Sequence, residues 1–310
     1  MKHRLEYIAV VVVMAIARVA PWVLVRGTGR LLGVLFYAVD ARRRRVTLDN
    51  LGRAFPWRSP RDRRVIARRV FAHFGRLLFD LLKFGTLSPE RMLRRVEWEG
   101  DERIRQAQAQ GKGYLLVTGH FGFWEMQGIV HGLHLGPLGV LARPLDNPRL
   151  NAMLERVRQS TGNTVIYRRG SIRRVLRMLR ANQGVGLLID QHVHTPDAVL
   201  VDFFDRPAAT TSSLALLAVR TGAPVVPLFA IPLPDGRYRM IYEHPVEAPK
   251  DETAEEIRAF MQRCTDVIEM YVRRYPELWL WMHRRWREPA VAIVVSPEPD
   301  AGAAIDVEHE

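Results

Sequence analysis

His120 and Glu125 are the residues of this chain best suited to acid–base chemistry, because an imidazole titrates near neutral pH and a carboxylate within reach can fix its tautomer. They stand in Gly119-His120-Phe121-Gly122-Phe123-Trp124-Glu125, directly after an apolar run at 114–118 and before a helical pattern that opens at Trp124. Five residues along a helix is a rotation of roughly 140°, so the two cannot share one helical face. His120 is therefore expected in a turn and Glu125 in the first turn of the following helix. Gly119 and Gly122 permit the turn, and a helix N-terminus there offers N–H groups to an anion or oxyanion. The same spacing also suits a histidine bonded to a carboxylate for purely structural reasons. The surrounding elements have to decide.

From Gly113 onward, short apolar runs at 114–118, 139–142, 164–167, 186–189, 225–231 and 238–242 read as strands. Helical periodicity covers 149–160, 171–181, 212–221 and 253–274. That order predicts an α/β fold with a mixed, largely parallel sheet flanked by helices. Ligands in such sheets bind beyond the strand ends. Four consecutive strands end on polar residues: His120, then Arg143, then Arg168, then Asp190-Gln191-His192. Upstream, residues 60–84 space apolar side chains by threes and fours with arginines between them, an amphipathic helix whose His73 reads as structural.

The 310 residues are 48% hydrophobic and 25% charged, which suits a globular domain with a sizeable core and excludes a largely disordered chain. A single cysteine, Cys264, rules out an internal disulfide or a cysteine-based zinc cluster and fits a reducing, cytoplasm-facing setting. Lysine and arginine outnumber the acids 46 to 33, and the resulting charge of +13 draws polyanions. Position selects among these. Apolar runs occupy residues 7–17 and 31–39, and the second leads straight into Arg42, Arg43, Arg44 and Arg45. An arginine cluster beside hydrophobic segments points to a membrane with anionic lipids, the cluster on the cytoplasmic side, and away from nucleic acid. Ala17-Arg18-Val19-Ala20-Pro21 is a poor cleavage site, so the first run is read as an anchor and not as a signal peptide. It could span only if Arg18 snorkels. The expected organisation is an N-terminal hydrophobic membrane-anchoring segment at 1–40, a catalytic domain at 41–290 and a disordered acidic tail at 291–310.

The His120 to Glu125 block, Arg143-Pro144, Asn147-Pro148, Asp190-Gln191 and the block Pro276-Glu277-Leu278-Trp279-Leu280-Trp281-Met282-His283-Arg284-Arg285-Trp286 resemble the bacterial lipid A biosynthesis acyltransferase family. That family includes the late lauroyl and myristoyl transferases and related phosphatidylinositol mannoside acyltransferases. The resemblance runs from the N-terminal segment to about Arg287. It implies an enzyme of the inner membrane, its catalytic domain on the cytoplasmic face, that needs no cofactor. Such an enzyme moves a fatty acyl chain from acyl carrier protein or coenzyme A to a hydroxyl of a lipid A precursor or related glycolipid. Carried over by position, His120 and Glu125 match the family's catalytic pair. Arg158 matches an arginine on the helix after the Arg-Pro block, Asp190 an acidic residue after the following strand, and His283 a histidine of the terminal block. Phe123 stands where the family often has Asn, a departure expected to change pocket polarity. The Phe-Pro-Glu-Gly block of glycerol-phosphate acyltransferases is absent, which argues against a glycerolipid acceptor.

The chemistry is coherent without the family. Transfer from a thioester to an alcohol needs a base for the hydroxyl proton, here His120, and Glu125 would hold its tautomer and stabilise the imidazolium. No G-x-S-x-G occurs and Cys264 is remote, so direct transfer is expected instead of an acyl-enzyme. Backbone N–H groups around Gly122 are the expected oxyanion donors. Arg143, Arg158 and Arg168 suit acceptor phosphates, with Asp190 paired to one of them and Gln191 and His283 completing the substrate site. His192, His194, Asp197 and Asp202 match no metal-ligand spacing, so no metal is expected. Trp279, Trp281 and Trp286 suit core packing, an interfacial belt or the lining of an acyl groove. Two alternatives stay open at this stage: an acyltransferase acting on a lysophospholipid or aminolipid, and a non-enzymatic basic protein that binds membrane or nucleic acid.

Overall fold

The computed structural model describes residues 2–167, 171–195 and 198–287. Arg168, Asp197 and the acidic tail at 291–310 lie outside them. The chain opens with four helices, α1 (Lys2–Val19), α2 (Trp22–Val39), α3 (Ala41–Ala54) and α4 (Pro60–Phe84), followed by the short α5 (Pro89–Leu93). Strands and helices then alternate: β1 (Val96–Glu99), α6 (Glu102–Ala109), β2 (Tyr114–Thr118), α7 (Trp124–His134), β3 (Leu138–Ala142), α8 (Pro148–Gln159), β4 (Thr164–Tyr167), α9 (Ser171–Arg180) and β5 (Gly184–Leu188). A hairpin, β6 (Ala198–Asp202) and β7 (Pro207–Thr211), precedes α10 (Ser213–Thr221), β8 (Val225–Pro232), β9 (Tyr238–Tyr242) and α11 (Ala254–Arg274).

The expected mixed, largely parallel sheet is present, with seven strands in the order β1-β9-β8-β2-β5-β3-β4. Only the β8–β9 pairing is antiparallel within it. β2 is buried along its whole length, as a central parallel strand must be. Three strands, β1, β6 and β7, were not expected from sequence, nor were the helices α3, α5 and α6. β1 is a four-residue edge strand with two glutamates, too short and polar to register as a strand. The β6–β7 hairpin forms a separate two-stranded sheet.

α4 forms because Ser59 caps it, accepting from the Asp62 N–H at 3.1 Å, and Pro60 occupies its first turn. Its buried face, including Ile66, Val70 and Phe71, joins the main core. α2 lies along α4 through Val25, Gly29, Gly33 and Tyr37, the buried residues of α2 at a spacing of four. A Cβ at Gly33 would collide with the Phe71 carbonyl, and one at Gly75 with the Gly29 carbonyl, so the two helices meet backbone to backbone. Buried Lys83 satisfies the C-terminal carbonyls of α1, bonding Ala17 O at 2.8 Å and Ala20 O at 2.6 Å.

Among the described residues, one helix is long and apolar enough to cross a membrane, and it is α2. It lies within the expected 1–40 segment but after the first apolar run: α1 carries Lys2, Arg4, Glu6 and Arg18, and Pro21 divides it from α2. Both helices expose apolar side chains, including Ile8, Val12 and Ile16 on α1 and Val23, Leu24 and Leu31 on α2.

Candidate active site

The loop after β2 is built to carry His120 at a strand end. Gly119 lies against Asp190, where an added Cβ would sit a tight 3.0 Å from the carboxyl group and would push it by a few tenths of an ångström. Gly122 adopts φ +58°, and an added Cβ there would run into the Ala230 carbonyl. The turn is strapped from several sides. Leu280 N–H donates to the His120 carbonyl at 3.1 Å, Gly122 N–H to the Leu278 carbonyl at 2.9 Å, and His73 Nε2–H to the Gly122 carbonyl at 3.2 Å. Burial pushes His73 down to about 4, so it stays neutral and structural, as its helical position suggested.

His120 falls in the turn and Glu125 in the first turn of α7, as their spacing required. Their partners differ from expectation. His120 Nδ1–H donates to Asp190 Oδ1 at 2.8 Å, and the His120 backbone N–H donates to Oδ2 at 2.7 Å. Trp279 Nε1–H donates to the same Oδ2 at 2.7 Å. Glu125 instead accepts a bidentate pair from Arg158, at 2.9 Å from Nε and 2.5 Å from a terminal nitrogen. The carboxylate bonded to the imidazole is thus Asp190. Glu125 reaches the imidazole only through the electrostatic field. The physical reason is sheet order: β5 lies between β2 and β3, with Thr118 beside Leu188, so the residues following β2 and β5 become neighbours.

These contacts set the protonation states. Burial works against a charged imidazole, yet the Asp190 carboxylate, reinforced by Glu125, raises His120 above the ordinary histidine value. Burial likewise raises Asp190, but the His120 bonds and the Trp279 indole outweigh it and hold the carboxyl low. Asp190 is almost fully enclosed, its side chain 2% exposed, while His120 keeps 23% of its side chain at the surface. With the Nδ1 proton committed to Asp190, Nε2 carries the free lone pair on the accessible side. The Gln191 amide N–H meets that lone pair at 3.2 Å.

Other sequence-predicted residues sort by the same geometry. Arg158 and Asp190 join the site, but among the described residues Asp190 pairs with His120 and with no arginine, and Arg158 pairs with Glu125. Arg143 is exposed at the end of β3. His283 accepts from the His192 N–H at 3.2 Å, and burial, with the nearby cations, lowers it to about 4 although Asp190 pulls the other way. The expected oxyanion donors are already used: the N–H groups of His120, Phe121, Gly122 and Phe123 donate to the Asp190 carboxylate and to the Gly119, Leu278 and Ala230 carbonyls, respectively. Phe123 lies fully buried against Phe84 and Tyr238 and does not line a polar pocket. Trp279 and Trp281 are core residues, as one of the readings held, but the indole bond to Asp190 was missed.

A partly exposed imidazole bonded to a buried carboxylate at the C-terminal ends of a parallel sheet is an arrangement suited to an α/β group-transfer enzyme. Residues 2–288 match the family described as bacterial lipid A biosynthesis acyltransferase, and the chain belongs to that family of acyltransferases. It is similar to the lipid A biosynthesis lauroyltransferase of Escherichia coli (strain K12), 29% identical over 269 residues that cover 86% of each chain. A lipid A biosynthesis acyltransferase of Haemophilus influenzae is 27% identical over 82% of this chain and 79% of its own. The phosphatidylinositol mannoside acyltransferase of Mycolicibacterium smegmatis is 23% identical over 71% of this chain and 72% of its own.

Proposed function

We propose that this acyltransferase moves a fatty acyl chain from a thioester, on acyl carrier protein or coenzyme A, to a hydroxyl of a lipid A precursor or related glycolipid. The observation that carries the reading is the line from Asp190 through His120 to an accessible Nε2. The acceptor hydroxyl replaces the Gln191 amide at Nε2 and gives up its proton there as its oxygen attacks the thioester carbon. Asp190 stabilises the imidazolium without taking the proton. Collapse of the tetrahedral intermediate breaks the C–S bond, and the departing thiolate recovers the proton from Nε2. Gln191, released from the imidazole, then offers its N–H to the carbonyl oxygen, a role the committed backbone amides of 120–123 cannot fill. Glu125 holds Arg158 as a fixed cation beside the pocket.

Direct transfer suits the surroundings of His120, since among the described residues no serine or cysteine bonds to it. Cys264 is buried in α11, and burial pushes its thiol well above the usual range. An apolar groove of about 160 Å³, lined by residues such as Met14, Leu81, Leu154 and Val157, adjoins Arg158 in sequence and can take part of an alkyl chain. The exposed apolar faces of α1 and α2, followed by the four arginines of α3, support seating residues 1–40 in the cytoplasmic face of the inner membrane with residues 41–290 as the catalytic body. The test is transfer of labelled acyl groups from acyl carrier protein or coenzyme A thioesters to candidate acceptors. We expect His120→Ala to lose on the order of 10⁴ in rate. Undiminished transfer by that variant would falsify the mechanism.

A further inference from the structure

The cleft of about 280 Å³ between the start of α3 and the terminal block is walled by arginines from both sides: Arg42 and Arg43 on one, Arg284 and Arg287 on the other, with His283 between them. It is a built concavity and not a chance meeting of surface cations. Buried Asn50 clamps the two walls together, its amide donating to the Trp281 carbonyl at 2.8 Å and the His283 carbonyl at 2.7 Å. Two of the four arginines have modest partners, Arg43 with Asp40 at 2.5 Å and Arg287 with His194 at 3.0 Å. Among the described residues, the side chains of Arg42 and Arg284 have no acidic partner and no carboxylate lines the cleft.

Single exposed arginines carry little information, because water solvates them well. Four in one pocket repel one another, and a dianion relieves that repulsion while accepting several of their N–H groups. Planar guanidinium donors match phosphate oxygens in particular. The cleft also connects to the reaction centre. His283, which lines it, lies within electrostatic reach of His120 and Asp190 on one side and of Arg287 on the other. Since its Nε2 accepts from His192, the neutral ring carries its proton on Nδ1 and presents a donor without adding charge. The far wall begins directly after α2, the apolar helix, so a ligand here is held beside the lipid-facing surface.

Building on the acyltransfer reading, we infer that this arginine cleft binds a phosphate monoester carried by the lipid acceptor and thereby sets which hydroxyl reaches His120. The site takes a sugar phosphate as its recognition element, and the acyl donor binds elsewhere.

Two measurements on the full-length protein in detergent test this. The first titrates glucosamine 1-phosphate, with glucosamine as control, and follows ³¹P line broadening. Saturable broadening is expected in the wild type and its loss in the triple variant Arg42→Gln/Arg284→Gln/Arg287→Gln, with the thermal midpoint of unfolding unchanged. The second compares acyl transfer to a phosphorylated acceptor and to its dephosphorylated counterpart. The triple variant should raise KM about 10- to 100-fold for the phosphorylated acceptor alone, leaving kcat and the donor KM in place. A rise in donor KM instead, or weaker binding to phosphatidylglycerol vesicles with acceptor KM unaltered, assigns the arginines to the donor or to lipid headgroups and overturns the proposal. So does equal behaviour of variant and wild type. Phosphate binding without any acyl transfer would leave the cleft standing and sink the acyltransfer reading instead.

Discussion

His120 and Glu125 leave the same short loop and helix start, yet each is paired in a different way. The His120–Asp190 pair joins two strand ends of a rigid sheet, and its carboxylate is buried under three hydrogen bonds, two from His120 and one from Trp279. The Glu125–Arg158 pair joins two helices, α7 and α8, and each side chain is 15% exposed. Strand ends locked by backbone bonds hold an imidazole to the tolerance that proton transfer needs. A helix-to-helix ion pair fixes a charge but leaves more freedom. The first pair therefore suits the moving proton, and the second suits holding substrate or charge.

The largest expected effect comes from Asp190→Asn, which keeps the shape but removes the charge and reverses the preferred tautomer. It should lower kcat on the order of 10⁴. It should also move the acid limb of kcat/KM. In the wild type the raised His120 places that limb above the ordinary histidine value, and with the Asp190 charge gone burial is opposed only by the Glu125 charge, so the midpoint falls. An unmoved midpoint in the variant would return the orienting role to Glu125. The linkage has a matching sign in stability. A raised His120 contributes fully below the ordinary histidine pKa and loses its contribution as pH rises through the folded value, whereas the depressed Asp190 contributes above the ordinary aspartate pKa and loses it as pH falls through its own.

Next comes Glu125→Gln, expected to cost about 10²-fold in kcat/KM and, by stranding Arg158, about 2–4 kcal/mol of stability in denaturant unfolding. A double-mutant cycle sharpens the contrast: Glu125→Gln with Arg158→Gln should show coupling of about 1–3 kcal/mol, and Glu125→Gln with Asp190→Asn much less. Strong coupling in the second cycle would merge the two pairs into one unit. The smallest effect is that of Trp279→Phe, which removes one donor from Asp190. A loss of about 10-fold in kcat is expected, as for one hydrogen bond to a charged group, with a small downward drift of the acid limb as Asp190 becomes less firmly charged. Titrating kcat/KM against pH for all three variants reads these outcomes on one scale.

Much of this molecule was legible residue by residue. Alternating apolar runs predicted the sheet class, the five-residue spacing placed His120 in a turn and Glu125 on a helix, and the helix at 60–84 followed from its periodicity. These are local properties, set by propensity, period and steric limits within a few residues. β1 escaped because its four residues gain strand character only by pairing with β9.

What the chain determined by itself was a histidine at the end of a central strand and the resemblance of its terminal block. The tertiary structure alone decided which carboxylate bonds that histidine. In chain order β5 follows β3 and β4, but in the sheet it inserts next to β2, and Asp190 arrives at His120 from seventy residues away. No local pattern encodes that insertion. It follows from which strands bury their faces best together, a long-range choice that also turned Glu125 toward Arg158 and brought the arginines of α3 against those of the terminal block.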